Sequence, residues 1–234
     1  MLERWAKLLS SYLQRRLQSF PILAIEVSWC DQGRLSAGAS FPMFLIAKPS
    51  DDKIRGFLAS QAESQFSYSG VGFSADRSRV VGYTIDHNRW LLGYGEDVWS
   101  RAVKAINNWQ MFNMGWLQLC WPDAPITKGT NVAVLIRHFG FWSLNAARVV
   151  YVLNERSGSV ERRGFAYGTL LDHAESGEER FSVERESRDD SVWYDLLAFS
   201  RPRAISAKLA FPLTRWLQRR FRENSKAAML KAVA

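Results

Sequence analysis

Residues 164–183 read GFAYGTLLDHAESGEERFSV. An apolar, β-prone run ends in a polar turn that holds His173, and a second run begins after Gly177 with the adjacent pair Glu178 and Glu179. The pattern predicts a hairpin, two alternating strands joined by turn residues. Period-two alternation sends the two glutamates to opposite faces. Glu179 shares a face with Phe181 and Val183, and Glu178 shares one with Arg180, Ser182 and Glu184. The apolar set is expected to face a core and the all-polar set to face water. Glu179 then needs a partner, because an unpaired buried charge is costly. His173 and Arg201 are the expected partners. Gly168 and Gly177 suit a tight turn or a close approach of strands.

Outward from this hairpin the same texture repeats. MGWLQLCW, NVAVLIRHF, SLNAARVVYVLN, RRGFAYGTLL, EERFSVER and SVWYDLLAFS are six β-prone runs bounded by turn residues. Before them, VVGYTIDHNRWL (80–91) reads as a strand, and Glu96-Asp97 open a helix with Val98, Ala102, Ala105 and Trp109 on one face. DDKIRGFLASQAESQF begins after a start signal at 48–52 and reads as a short helix. A long helix closes the chain over residues 204–231.

Short connections make the six runs an antiparallel meander, which needs a cover for its apolar face. The fold class expected is α+β: a curved antiparallel sheet of about seven strands wrapped around the long C-terminal helix, the helix-grip plan of Bet v 1 and START-type proteins. Turns of a meander alternate between its ends. Those at 138–142, 172–177 and 200–203 share one end, so His138, His173, Glu178, Glu179 and Arg201 are drawn to one rim. A cavity between sheet and helix would open there.

On the C-terminal helix, Leu213, Leu217, Phe221 and Ala228 form an apolar face, and Arg215, Arg219, Arg222 and Lys226 fall within about 60° of one another opposite it. This basic stripe is either a solvated outer face or a contact for an anionic membrane or polyanion. Residues 2–20 place Leu2, Trp5, Leu9, Leu13, Leu17 and Phe20 on one helical stripe that ends at Pro21. The division expected is an amphipathic helix and arm over 1–48, followed by the helix-grip domain over 49–234.

Composition sets the bounds. Hydrophobic residues are 47% and charged residues 23% of 234, a balance that fills a real core, and ten Trp enrich it in aromatic surface. The net charge of +8 favours polyanionic partners only if it gathers on one face. Cys30 and Cys120 have no ligand-like or CxxC spacing, which argues against a disulfide scaffold or structural zinc and fits a reducing cytoplasm. Charged residues interrupt both the first segment and the apolar region 20–47, so neither a signal-peptide core nor a membrane span is expected. No nucleophile elbow, HExxH, P-loop or dinucleotide fingerprint is present, and no cofactor or metal is expected.

The chain resembles the UPF0548 (DUF1990) family of bacteria and plants. The motifs are FSYSGVG (66–72), RWLLGYGEDVW (89–99), NNWQMFNMGW (107–116), RVVYVLNE (148–155), GFAYGTLLDHAESGEERFSV (164–183), SRP (200–202) and QRRFRENSKAAML (218–230). The resemblance covers residues from about 49 to the end and implies a Bet v 1-like helix-grip domain. It supplies no activity. By motif match it points to Tyr167, Thr169, His173, Gly177, Glu178, Glu179 and Arg201.

Together these readings predict a protein that binds a small hydrophobic or amphipathic, lipid-like molecule between sheet and C-terminal helix, with Tyr167, Thr169, His173, Glu178, Glu179, Arg201 and His138 at the rim. One alternative is a cyclase- or hydrolase-type enzyme using Glu179 or His173. Another is a cytoplasmic protein peripheral to an anionic membrane through its basic amphipathic helices. Nucleic acid is the least favoured partner, since no reading motif accompanies the charge.

Overall fold

The alternating runs form the strands they predict. A computed structural model of the chain describes residues 43–75, 81–138, 140–202 and 211–234. In chain order the elements are β1 (Met43–Leu45), α1 (Asp51–Ser60), β2 (Thr84–Tyr94), α2 (Gly95–Asn107), a 3-10 turn (Gln110–Phe112), β3 (Leu117–Cys120), β4 (Asn131–Arg137), β5 (Trp142–Ser157), β6 (Val160–Thr169), β7 (Glu175–Glu186), β8 (Ser191–Pro202) and α3 (Phe211–Val233). The chain divides into a unit Met1–Ala39 and a unit Ser40–Ala234. The helix expected over 2–20 lies outside the described residues.

Local chemistry sets the helix starts. Ser50 caps α1 by accepting the Lys53 N–H at 3.3 Å, and Asp51 and Asp52 stand at its positive end. Glu96 and Asp97 do the same for α2, which buries Trp99, Ala102, Ala105 and Ile106. The final helix begins at Phe211, with Pro212 in its first turn, where a missing N–H costs nothing.

The sheet is antiparallel, in the order β2-β8-β7-β6-β5-β4-β3, and β1 takes the edge of β5 beyond the end of β6. This is the curved helix-grip sheet expected from the meander. On its inner face α2, the 3-10 turn and α3 pack against Phe165, Tyr167, Phe181, Val183, Tyr194 and Leu196. Rings fill much of this layer: Phe112 lies 5.3 Å from Phe181 and 5.8 Å from Phe221, and Trp109 lies 4.5 Å from Phe165, centroid to centroid. The face of α3 turned to the sheet is centred on Phe221, Ser225, Met229 and Val233 rather than on the Leu217 side.

The outer face is covered as well, which corrects one expectation. Ile54 and Phe57 of α1 pack on Leu135, Leu144 and Leu170, and the segment 66–75 lies over β6, β7 and β8 with Tyr68 edge-on to Phe199. The polar set of β7 therefore does not face water: Glu178, Arg180, Ser182 and Glu184 are 2%, 1%, 0% and 4% exposed. The cover is itself polar and supplies the hydrogen bonds that bulk water would otherwise make.

Gly168 makes that cover possible. A Cβ there would stand 2.1 Å from the Tyr68 hydroxyl, which passes over the glycine to reach Glu178. Gly168→Ala is expected to push Tyr68 off the sheet and lower stability by about 1–3 kcal/mol, the usual cost of overpacking. Urea unfolding measures it, and an unchanged midpoint would contradict the close approach.

Candidate functional site

One row across the sheet builds the polar part of the inner face. Val149, Tyr167, Glu179, Ala198 and Asp86 stand directly opposite one another on β5, β6, β7, β8 and β2. Cross-strand partners share a face, so Tyr167, Glu179 and Asp86 all look toward α3. Glu175 and Ser200 lie nearer the end of the sheet where the 170–174 turn sits, and the aromatic layer begins with Phe181 on the other side. Along β7 the inner face thus changes from acidic at this mouth to apolar in the middle.

Three carboxyl groups meet three different environments under α3. Glu179 is half-buried and accepts a hydrogen bond from the Tyr167 hydroxyl at 2.9 Å. Burial pushes its carboxyl up to about 8; the Tyr167 bond opposes that, and the nearby Glu175 and Asp86 add to it. Burial also holds the Tyr167 phenol well above its ordinary range, reinforced by the Glu179 charge. Glu175 accepts from Gln218 Nε2 at 3.1 and 3.2 Å, and burial raises its carboxyl despite that bond. Burial acts on Asp86 too, but hydrogen bonds and charge from Arg215 and Arg222 outweigh it and leave this carboxyl below the usual range. Arg215 reaches Asp86 with two nitrogens at 2.6 and 3.1 Å, and Arg222 with one at 2.6 Å.

Asp86, Glu175 and Gln218 are members that the sequence did not single out, and Arg215 and Arg222 are members it pointed to only as an outward contact. Alternation along TIDHNRW places Asp86 on one face but does not say that α3 lies above it. Arg215 and Arg222 correct the reading of the basic stripe as one outward face: both turn inward to Asp86, Arg219 is exposed and Lys226 half-buried. They flank the true buried face of α3, whose centre is shifted toward Ser225, where the Ser225 hydroxyl lies 2.8 Å from the Tyr194 hydroxyl.

The remaining rim candidates sit elsewhere. Glu178 belongs to the outer face. It accepts from the Tyr68 hydroxyl and the Gly72 N–H at 2.7 Å each, the Ser74 N–H at 3.1 Å, and the Ser74 hydroxyl. Beside it Arg180 donates to Asp195 at 2.7 Å and to the Ser74 carbonyl at 2.9 Å, and His87 Nε2 lies 2.6 Å from Asp195. Thr169 ties the hairpin end, accepting the Gly177 N–H at 2.9 Å. The His173 ring accepts the Glu175 N–H at 3.0 Å inside the turn. Arg201 is exposed and lies 4.6 Å over the Tyr83 ring. It pairs with Ser176, so alternation puts it on the face opposite Glu179; the expected Glu179–Arg201 pair is replaced by Glu179–Tyr167. His138 lies 2.8 Å from the Ser143 hydroxyl and stacks on Phe141, and burial lowers its pKa to about 4.

Among the described residues no group of three or more His, Cys, Asp or Glu is placed to hold a metal, and no helix is long and apolar enough to cross a membrane. The acidic mouth is suited instead to hydrogen bonding, to pairing with a cation, or to proton exchange at Glu179.

Comparison with known proteins places the chain. The model of a domain of unknown function, DUF1990, matches residues 67–228. A UPF0548 protein of Dictyostelium discoideum is 34% identical over 82% of this chain and 96% of its own length. One from Deinococcus radiodurans is 36% identical over 76% and 92%, and one from Arabidopsis thaliana 32% identical over 65% and 74%. Among solved structures, a Thalictrum norcoclaurine synthase point mutant in complex with a transition-state analogue is similar, at 14% identity and TM-score 0.41 over 67% of this chain and 97% of that one. The chain belongs to the UPF0548 family.

Proposed function

We propose that the protein binds a small amphipathic molecule between the sheet and α3, its polar group at Glu179 and Tyr167 and its apolar part along the aromatic layer. The observation that carries this reading is Glu179 itself. It is a half-buried residue whose carboxyl is withdrawn from bulk water, and among the described residues its hydrogen bond comes from Tyr167 alone. A protein rarely keeps such a group at the edge of an aromatic core for packing. Phe181 and Phe112 stand next to it as an apolar wall.

A second reading is an acid–base enzyme at the same site. It is favoured by the pairing of a carboxyl pushed up to about 8 with a hydroxyl at 2.9 Å, since a group titrating near neutrality exchanges protons efficiently. A membrane-surface role has less support, because Asp86 engages two of the four cations of the stripe. Residues 1–48 are proposed as an addition to the ligand-binding domain that follows.

Mass spectrometry of an organic extract of freshly purified protein tests the binding reading. The wild type is expected to yield one near-equimolar small-molecule class and Glu179→Gln far less of it. No retained molecule in either protein would overturn it. If Glu179→Gln retains the molecule and the wild type alone converts it, the enzyme reading replaces the carrier.

A further inference from the structure

A second concavity lies on the other flank of α3, away from Glu179. It is a pocket of ≈ 420 Å³ lined by Trp116, Arg137, His138, Leu217, Arg220 and Asn224. That volume is within the range of small-molecule sites. Trp116 stands just before β3, and the Arg137 N–H donates to its carbonyl at 2.8 Å, so the two residues are fixed together. From α3, the Arg220 guanidinium lies 4.7 Å over the Trp116 ring. The Trp116 indole N–H donates to Asn224 Oδ1 at 2.8 Å, which leaves the amide NH2 of Asn224 as a donor at the pocket.

The charge balance here differs from the rest of the domain. Arg215 and Arg222 of the same helix are matched by Asp86, Arg180 by Asp195, and Arg89 and Arg162 by Glu184. Arg137 and Arg220 have aromatic partners and, among the described residues, no carboxylate. His138 completes the wall, and with its pKa lowered to about 4 by burial it is a neutral neighbour at physiological pH. Strand alternation puts the Arg137 side chain with Trp142 on the face away from α3, so the polar part of the pocket is the Arg220 guanidinium, over the Trp116 and Trp216 rings, and the Asn224 amide. A guanidinium without a carboxylate partner, beside a free amide donor, binds a planar oxyanion bidentately. Leu217 and Trp116 add an apolar surface beside it.

We infer that this pocket binds a small organic anion, its phosphate or carboxylate held by Arg220 and the Asn224 amide and its apolar part lying against Trp116 and Leu217. The site is separate from the Glu179 mouth and does not depend on it.

Calorimetric titration of the full chain with phenyl phosphate tests the assignment, with inorganic phosphate and benzoate as parallel probes. Saturable binding of phenyl phosphate is expected, weakened about tenfold or more by Arg220→Gln, as loss of a charge-assisted hydrogen bond predicts. Asn224→Asp keeps the oxygen that accepts from Trp116 but sets a negative charge against the ligand. It is expected to weaken binding at least as much with an unchanged unfolding midpoint, which separates recognition from folding. Inorganic phosphate should bind about tenfold more weakly, lacking the apolar contact. Benzoate binding more tightly than phenyl phosphate would make the natural ligand a carboxylate rather than a phosphate and still support the site. Glu179→Gln should leave all three affinities unchanged. No saturable binding of either aromatic anion, or binding indifferent to both pocket substitutions, would overturn the inference.

Discussion

Replacing Arg180 by Met is expected to lower folding stability by about 3–5 kcal/mol, the range for breaking a buried ion pair from one side. Arg180 is 1% and Asp195 0% exposed, and they meet at 2.7 Å beneath the segment 66–75. The substitution keeps most of the packed side-chain volume and removes the charge. Asp195 then stays buried with His87 at 2.6 Å, and the Ser74 carbonyl loses its donor. Burial alone would raise the Asp195 carboxyl; hydrogen bonds from His87 and Arg180 and their charges outweigh it, so the pKa falls below its ordinary value. A depressed carboxyl contributes stability that is present above the unfolded value of 3.8 and lost as pH falls through the folded one. The deficit of Arg180→Met should therefore be full at neutral pH and shrink in acid. Chemical unfolding at pH 7 and pH 3 measures both parts. A loss below about 1 kcal/mol at pH 7 would mean that the pair is solvated rather than buried.

Glu179→Gln should act in the opposite direction. The Glu179 carboxyl moves from 4.5 to about 8 on folding, chiefly through burial. Between those values the folded protein holds a proton that the unfolded chain has released. Its contribution is most favourable below pH 4.5, declines by up to about 1.4 kcal/mol per pH unit through the window, and is flat above pH 8. Glutamine keeps an oxygen for Tyr167 to donate to and cannot ionise. The variant is expected to match the wild type near pH 4.5 and to exceed it by roughly 2–4 kcal/mol at pH 8 or above. Taking the difference between the two proteins cancels the titration of Asp195, which is not coupled to Glu179. Parallel stability curves from pH 4 to 9 would show that Glu179 ionises as an ordinary surface carboxylate. A substitution that stabilises the fold while reducing ligand retention would mark Glu179 as a group kept at a cost to stability.

The strand order was legible because each late run alternates over a full strand and ends in turn residues, which leaves a meander little freedom. The split of Glu178 from Glu179 was legible for the same reason. What could not be read was the surroundings of each face. GVGFSA carries no periodicity to mark it as a cover, so the polar face of β7 reads as solvated until Tyr68, Gly72 and Ser74 are seen to close over Glu178. The partner of Glu179 was missed by parity: Arg201 and Ala198 differ by three positions, and only Ala198 lies in the Glu179 row. On α3, apolar spacing alone gave too narrow a view of the buried face. A buried serine and two arginines turned toward Asp86 carry no hydrophobic signal, although they set the helix's rotation.

The most direct test is a crystal structure of the protein loaded with the molecule recovered in its extract. That molecule is expected between β6–β7 and α3, with a polar atom within hydrogen-bond distance of Glu179 or Tyr167 and its apolar part on Phe181 and Phe112. A ligand bound elsewhere, with the Glu179–Tyr167 pair untouched, would contradict the binding reading.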